Sequence, residues 1–264
     1  VRIEDAFGNL RTSDNSTSVF IAIQNNPSAG SLSGTPTRTA SGGIATFNDL
    51  TINNPGTGYT LSVTSSPALT AATSNAFNIT AGAATKLAFG VQPSTATAGV
   101  AISPAVTVRI LDANDNLVTT ATDNITLAFE ENAGDGTLSG TLTVAASAGV
   151  ATFSNLSIDK AGTGYTLLAT SGALTSAISN AFDINPGAAF QLAFLQQPFS
   201  TTAQETISPP VTVRVEDNQG NLITTAINNI TLSIGTNPSG GTLAGTLTVE
   251  ASGGVATFDN LSID

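Results

Sequence analysis

The chain has 264 residues, enough for two or three ordinary domains, and is 41% hydrophobic but only 9% charged, with 25 Gly and 11 Pro. Its net charge of −11 repels nucleic acid and anionic membrane surfaces, and it also keeps a long β-protein from pairing edge to edge. With no Cys the fold uses neither disulfides nor thiolate metal sites, and with no His the usual general base and zinc ligand are missing.

Ser, Thr, Asn and Ala fill much of the remainder, a composition of small, β-branched and turn-forming residues that favours many short strands. No window carries a sustained 3.6-residue apolar stripe, so almost no helix is expected. There is no initiator Met, no signal peptide and no apolar run of about eighteen residues.

The chain repeats itself. "VRIEDAFGNL" (1–10) returns as "VRILDANDNL" (108–117) and "VRVEDNQGNL" (213–222), 107 and then 105 residues apart. "GGIATFNDLTI" (42–52), "AGVATFSNLSI" (148–158) and "GGVATFDNLSI" (253–263) form a second set, and "GTGYTL" occurs at 56–61 and 162–167. "SNAFNI" (74–79) recurs as "SNAFDI" (179–184), and "KLAF" (86–89) as "QLAF" (191–194). The expected domains are 1–81, lacking the opening strand; 82–186, complete; and 187–264, lacking the last two strands. Such a pattern is expected of an excerpt from a longer tandem array, in which each domain-sized copy owns a core.

In the complete copy the predicted strands, in chain order, start with "TKLAFGVQP" (85–93), which Pro93 ends or moves to an edge. "AVTVRIL" (105–111) alternates Val106, Val108 and Ile110 inward against Thr107, Arg109 and Leu111. "NITLAFE" (124–130) puts Ile125, Leu127 and Phe129 on one face. "TLSGTLTVAAS" (137–147), "GVATFSNLSI" (149–158), "GYTLLATS" (164–171) and "SAISNAFDI" (176–184) complete about seven strands. This pattern predicts an all-β fold of tandem immunoglobulin-like antiparallel β-sandwich domains. Tyr59 and Tyr165, the only tyrosines, both follow a Gly-x-Gly at the start of the sixth strand, where such sandwiches carry a tyrosine corner.

Across the copies, Asp5, Asp112 and Asp217 share a column, as do Asn9, Asn116 and Asn221. Between them stands Gly8, Asp115 or Gly220. The Asp112-to-Asn116 order resembles the calcium-binding linker motif of cadherins, and a calcium ion on Asp112 and Asp115, approached by Asp123, Glu130, Glu131 and Asp135, is the competing reading. Calcium needs about six to eight oxygens, whereas this loop offers fewer, and a ligand replaced by Gly in two copies is a poor one. Gly and Asp share tolerance of positive φ, so Asp-x-x-Gly-Asn reads as a hairpin turn whose first Asp bonds its own backbone.

The stretch from "VTVRILDANDNLV" through "GTLSGTLTVAASAGVATFSNLSI" resembles the bacterial immunoglobulin-like repeats of the invasin and intimin type. That resemblance implies tandem sandwiches on bacterial surface proteins, serving as stalks or adhesive arms, with further copies in cis as partners. Short junctions, "ITAGAATKL" (79–87) and "INPGAAFQL" (184–192), imply a semi-rigid string. Self-association into fibres, by donor-strand complementation or head to tail, and a cell-surface ligand held by the differing loops 24–30, 130–136 and 235–241 are further expected interactions. Sequons stand at Asn15, Asn78, Asn124, Asn155, Asn229 and Asn260, of which Asn124 and Asn229 share a column and should point outward. No cofactor, metal or catalytic constellation is expected: Glu130 and Glu131 are adjacent and point to opposite faces of a strand, and Lys86 and Lys160 supply no repeated cross-link. The sequence therefore predicts a non-catalytic extracellular structural module, with an adhesin as the alternative.

Overall fold

The computed structural model describes residues 1–264 and contains strands but no helix, and hence no helix long and apolar enough to cross a membrane. The fold is all-β, with nearly all strands paired antiparallel. Contacts group the chain into two compact units. One holds Val1–Lys86 with Ile110–Ala121 and Ser147–Gly149; the other holds Leu87–Arg109, Thr122–Ala146 and Val150–Asp264.

In the first unit, Ser18–Asn25 lies between Thr37–Thr39 and the long Gly56–Ser66 strand, which also pairs Ala72–Thr73 and Phe77–Ile79. Ile3, Val19, Ala40 and Ala45 form its buried cluster, with Phe47 and Val63 packed against them. Leu111, expected to face outward, is buried, and the linker residue Thr85 donates its N–H to the Leu111 carbonyl at 2.9 Å. Leu111 is the last residue of its strand, next to the turn that Asp112 opens, and the strand's alternation does not extend to it.

In the second unit the same plan recurs. Asn124–Glu131 lies between Thr143–Ala145 and Gly162–Thr170, in the register Leu127↔Ala169 and Phe129↔Leu167. Val106, Val108, Ile125 and Leu127 are buried, as their alternation requires. Val211–Glu216 is flanked by Gln191–Gln196 and Val255–Phe258 over a core of Ile207, Val213, Ile230, Phe258 and Leu261.

Three predicted strands are each two pieces. "TLSGTLTVAAS" divides into Leu138–Ser139 and Thr143–Ala145, which join different sheets. Gly140 makes the break: its φ is 110°, and a Cβ there would collide with the Asn155 carbonyl. Gly34 and Gly245 repeat this at φ 105°. "GVATFSNLSI" likewise divides into Val150–Phe153 and Ser157–Ile158, and "SAISNAFDI" into Ala177–Ile178 and Phe182–Asn185. A short strand absent from the prediction, Ala96–Thr97, pairs parallel with Phe182–Asn185.

Candidate functional site

The three aspartate-led turns are built alike. Oδ1 of Asp5 accepts the N–H groups of Phe7 and Asn9, each at 2.9 Å. Oδ1 of Asp112 accepts those of Asn114 and Asn116 at 2.8 and 2.9 Å, and Oδ1 of Asp217 those of Gln219 and Asn221 at 2.8 Å. The residue before each Asn is left-handed, with φ of 81° at Gly8, 67° at Asp115 and 74° at Gly220. Asp115 is the short polar residue that tolerates this region, and its carboxylate sits 2.8 Å from Lys86 Nζ.

The second carboxylate oxygen reaches outside the turn. Oδ2 of Asp112 accepts the linker N–H of Gly82, and Oδ2 of Asp217 that of Gly187, each at 2.8 Å. The Asn at the end of the turn completes the arrangement. Asn116 Nδ2 donates to Asp112 Oδ2 and to the Asn53 carbonyl, both at 3.0 Å. Asn221 Nδ2 donates to Asp217 Oδ2 at 3.0 Å and to the Asp159 carbonyl at 2.8 Å, while its Oδ1 accepts the Ala161 N–H at 3.0 Å. Lys160 Nζ adds a bond to the Gln219 carbonyl at 2.8 Å.

The loops reached in this way lead into the two tyrosines. Tyr59 donates its hydroxyl to the Asn54 carbonyl, and Tyr165 to the Lys160 carbonyl, each at 2.9 Å from five residues downstream. Both rings are fully buried, and Tyr165 lies 5.6 Å from Phe129 and 6.1 Å from Phe182 between centroids. One hydrogen-bonded path therefore runs from a buried tyrosine, through its loop carbonyls, to an Asn–Asp pair and a linker amide. Asp112 and Asp217 are 2% and 0% exposed; Asp5, which has only donors from its own turn, is exposed.

Charge follows from these bonds. Burial pushes the Asp112 carboxyl up, but the N–H groups of Gly82, Asn116 and Asn114 and the Asn116 side chain outweigh it and hold it at about 2. Asp217 is likewise lowered, with burial opposed by Gly187, Asn221 and Gln219. In Asp5 the Asn9 side chain and the turn's own amides lower it.

The sequence pointed to a turn that reverses the backbone within one copy; the structure adds that the same carboxylate ties down the linker 30 residues upstream. Gly82, Gly187, Asn53, Asp159, Lys160 and Ala161 went unnoticed as partners. The available signal was that both glycines precede an Ala-Ala pair and stand at the same distance before their Asp. The Asp112 oxygens are taken by N–H donors and Asp115 by Lys86, while Asp123, Glu130, Glu131 and Asp135 are exposed and no three acidic side chains gather.

Asn124 and Asn229 are exposed, with side-chain amides free of hydrogen bonds, whereas Asn155 and Asn260 donate to Thr141 and Thr246 at 3.1 and 3.0 Å. The differing loops share an internal brace, with Asn26, Asn132 and Asn237 donating to the carbonyls of Gly30, Gly136 and Gly241.

No protein-family model and no curated protein matches the chain. Among solved structures, it is similar to FdeC, an Escherichia coli adhesin, at 17% identity over 96% of this chain and 85% of that one, with a TM-score of 0.38. Domains 4–9 of the surface layer protein SbsC align at 15% identity over all of this chain and 37% of that one, with a TM-score of 0.30. A β-glycosidase from Bacteroides vulgatus aligns at 14% identity over 64% of this chain, which spans only 21% of that protein, with a TM-score of 0.34. At such values the fold rests on the strand pairings above.

Proposed function

We propose that the chain is a non-catalytic structural segment of an extracellular bacterial surface protein of the invasin and intimin kind, organised as sandwich domains at 1–81, 82–186 and 187–264. In this reading the Asp–Asn turn is an interdomain latch, and the repeated domains form a semi-rigid stalk or shaft. One observation carries it: at two independent junctions the same Asp oxygen holds a linker N–H while the same Asn amide holds a carbonyl of the preceding tyrosine loop. A hydrogen bond to a charged group contributes more than a neutral one, about 1.5–3 kcal/mol, and two bonds from one turn to different segments restrict rotation about a short linker. Catalysis requires matched groups in one cleft, and the acidic residues here are dispersed or bound by amides.

Small-angle scattering of the full chain against an Asp112→Ala, Asp217→Ala double variant tests this. The wild-type chain should fit a narrow distribution of interdomain distances, and the variant a broader and shorter one. Identical distributions would remove the latch from the account.

A further inference from the structure

At both junctions the aspartate turn holds the linker through one amide, that of Gly82 or Gly187. Its hold on the tyrosine loop of the preceding copy differs between the two. Around Asp217 three bonds reach that loop: Asn221 Nδ2 donates to the Asp159 carbonyl, the Ala161 N–H to Asn221 Oδ1, and Lys160 Nζ to the Gln219 carbonyl. Around Asp112 the first of these alone has a counterpart, from Asn116 Nδ2 to the Asn53 carbonyl.

Residue type excludes the other two bonds. "NNPGTGY" (53–59) stands where "DKAGTGY" (159–165) stands one copy later, so Asn54 replaces Lys160 and Pro55 replaces Ala161. Pro55 has no N–H to offer the Asn116 side-chain oxygen. Asn54 carries no cation, and its amide turns back to the Ser28 and Ala29 carbonyls at 2.9 and 3.3 Å. The linkers differ as well, since Pro186, with its fixed φ, stands where the first junction has Ala81. The ion pair of Lys86 with Asp115 at 2.8 Å does not offset this. Both partners lie in the linker and the following copy, and the Asp115 side chain is 75% exposed, where such pairs contribute little.

We infer that the dipeptide before Gly-x-Gly-Tyr sets the stiffness of the joint that follows its copy. Lys160-Ala161 braces the joint between the middle and third copies, and Asn54-Pro55 leaves a yielding one between the first and middle copies. The inference rests on the latch and adds to it that the chain bends first at 79–87. Lys160 carries much of the difference, because an ammonium donating to a carbonyl makes a stronger bond than a neutral amide does. Joints of either kind can then be written into a string of near-identical sandwiches by two residues that leave each core untouched.

The chain has no cysteine, so spin labels on introduced cysteines read each joint separately in the full chain. Thr39, Ala145 and Glu250 are exposed and share one column, opposite Ser18, Asn124 and Asn229. A Thr39→Cys, Ala145→Cys pair spans the first joint, and an Ala145→Cys, Glu250→Cys pair the second. Pulsed electron resonance should give a distance distribution about twice as wide across the first joint as across the second. Asn54→Lys with Pro55→Ala should narrow the first, and Lys160→Asn with Ala161→Pro should broaden the second. Both exchanges keep the tyrosine bond, which ends on the main-chain carbonyl of residue 54 or 160. Lys160→Ala introduces no proline and should broaden the second joint part of the way. Equal widths in the wild-type chain, or exchanges that leave both widths unchanged, would overturn the inference. If Asp112→Ala and Asp217→Ala still broadened their joints in that case, the latch itself would stand; if they did not, both would fall.

Discussion

Replacing Asp217 by Ala isolates the turn and the latch in one change. Its carboxylate is fully buried and accepts four bonds: from the amides of Gly187, Gln219 and Asn221 and from Asn221 Nδ2. A buried donor left without a partner costs about 1–3 kcal/mol. Water can reach part of the cavity that Ala leaves, so the loss should total about 2–4 kcal/mol rather than four full penalties. For a compact unit of this size, about 2–4 °C of melting temperature accompanies each kcal/mol. Differential scanning calorimetry should therefore show the transition moving down by roughly 4–16 °C. Amide exchange at Gly187 should accelerate in step. Asp5→Ala is the internal control, because Asp5 makes the same turn in an exposed position with no linker donor. Equal effects of the two substitutions would refute the reasoning, since the turn alone would then explain both.

The pH dependence follows from the same carboxylates. The folded Asp112 value of about 2 lies below the ~3.9 of an unfolded aspartate, so its contribution is full above about pH 4 and is lost as pH falls toward 2. Melting temperature should hold between about pH 7 and 5 and fall below 4, less steeply in Asp112→Asn. Tyr165→Phe keeps the ring but loses the bond to the Lys160 carbonyl, for about 1–2 kcal/mol by urea unfolding, whereas Tyr165→Ala should cost about 3–5. Gly140→Ala forces a Cβ into the left-handed region against the Asn155 carbonyl and should cost about 1–3 kcal/mol in the same assay. In a host that glycosylates sequons, mass spectrometry should find Asn124 and Asn229 modified ahead of Asn155 and Asn260, whose amides are engaged.

The strands were legible because alternation such as Val106, Val108 and Ile110 against Thr107 and Arg109 encodes one buried face directly. The turn was legible too, because substitution of Gly by Asp between copies marks a backbone conformation and leaves little room for a shared ligand. The strand breaks at Gly140 and Gly245 were hidden, since "LSGTL" and "LAGTL" keep a strand-like composition and only packing against Asn155 and Asn260 shows why Gly is there. The latch was hidden for another reason. An Asp names its local bonds through sequence neighbours, but its second oxygen meets an amide 30 residues away that becomes adjacent only once the sheets form. Leu111 illustrates the same limit, since it is buried although its strand's alternation places it outward.

Nuclear relaxation across the Asp217 junction tests the latch most directly. Amides in residues 122–184 and in residues 211–263 should share one rotational correlation time in the wild-type chain and separate into two in an Asp217→Ala, Asn221→Ala variant. Two distinct correlation times already present in the wild-type chain would contradict it.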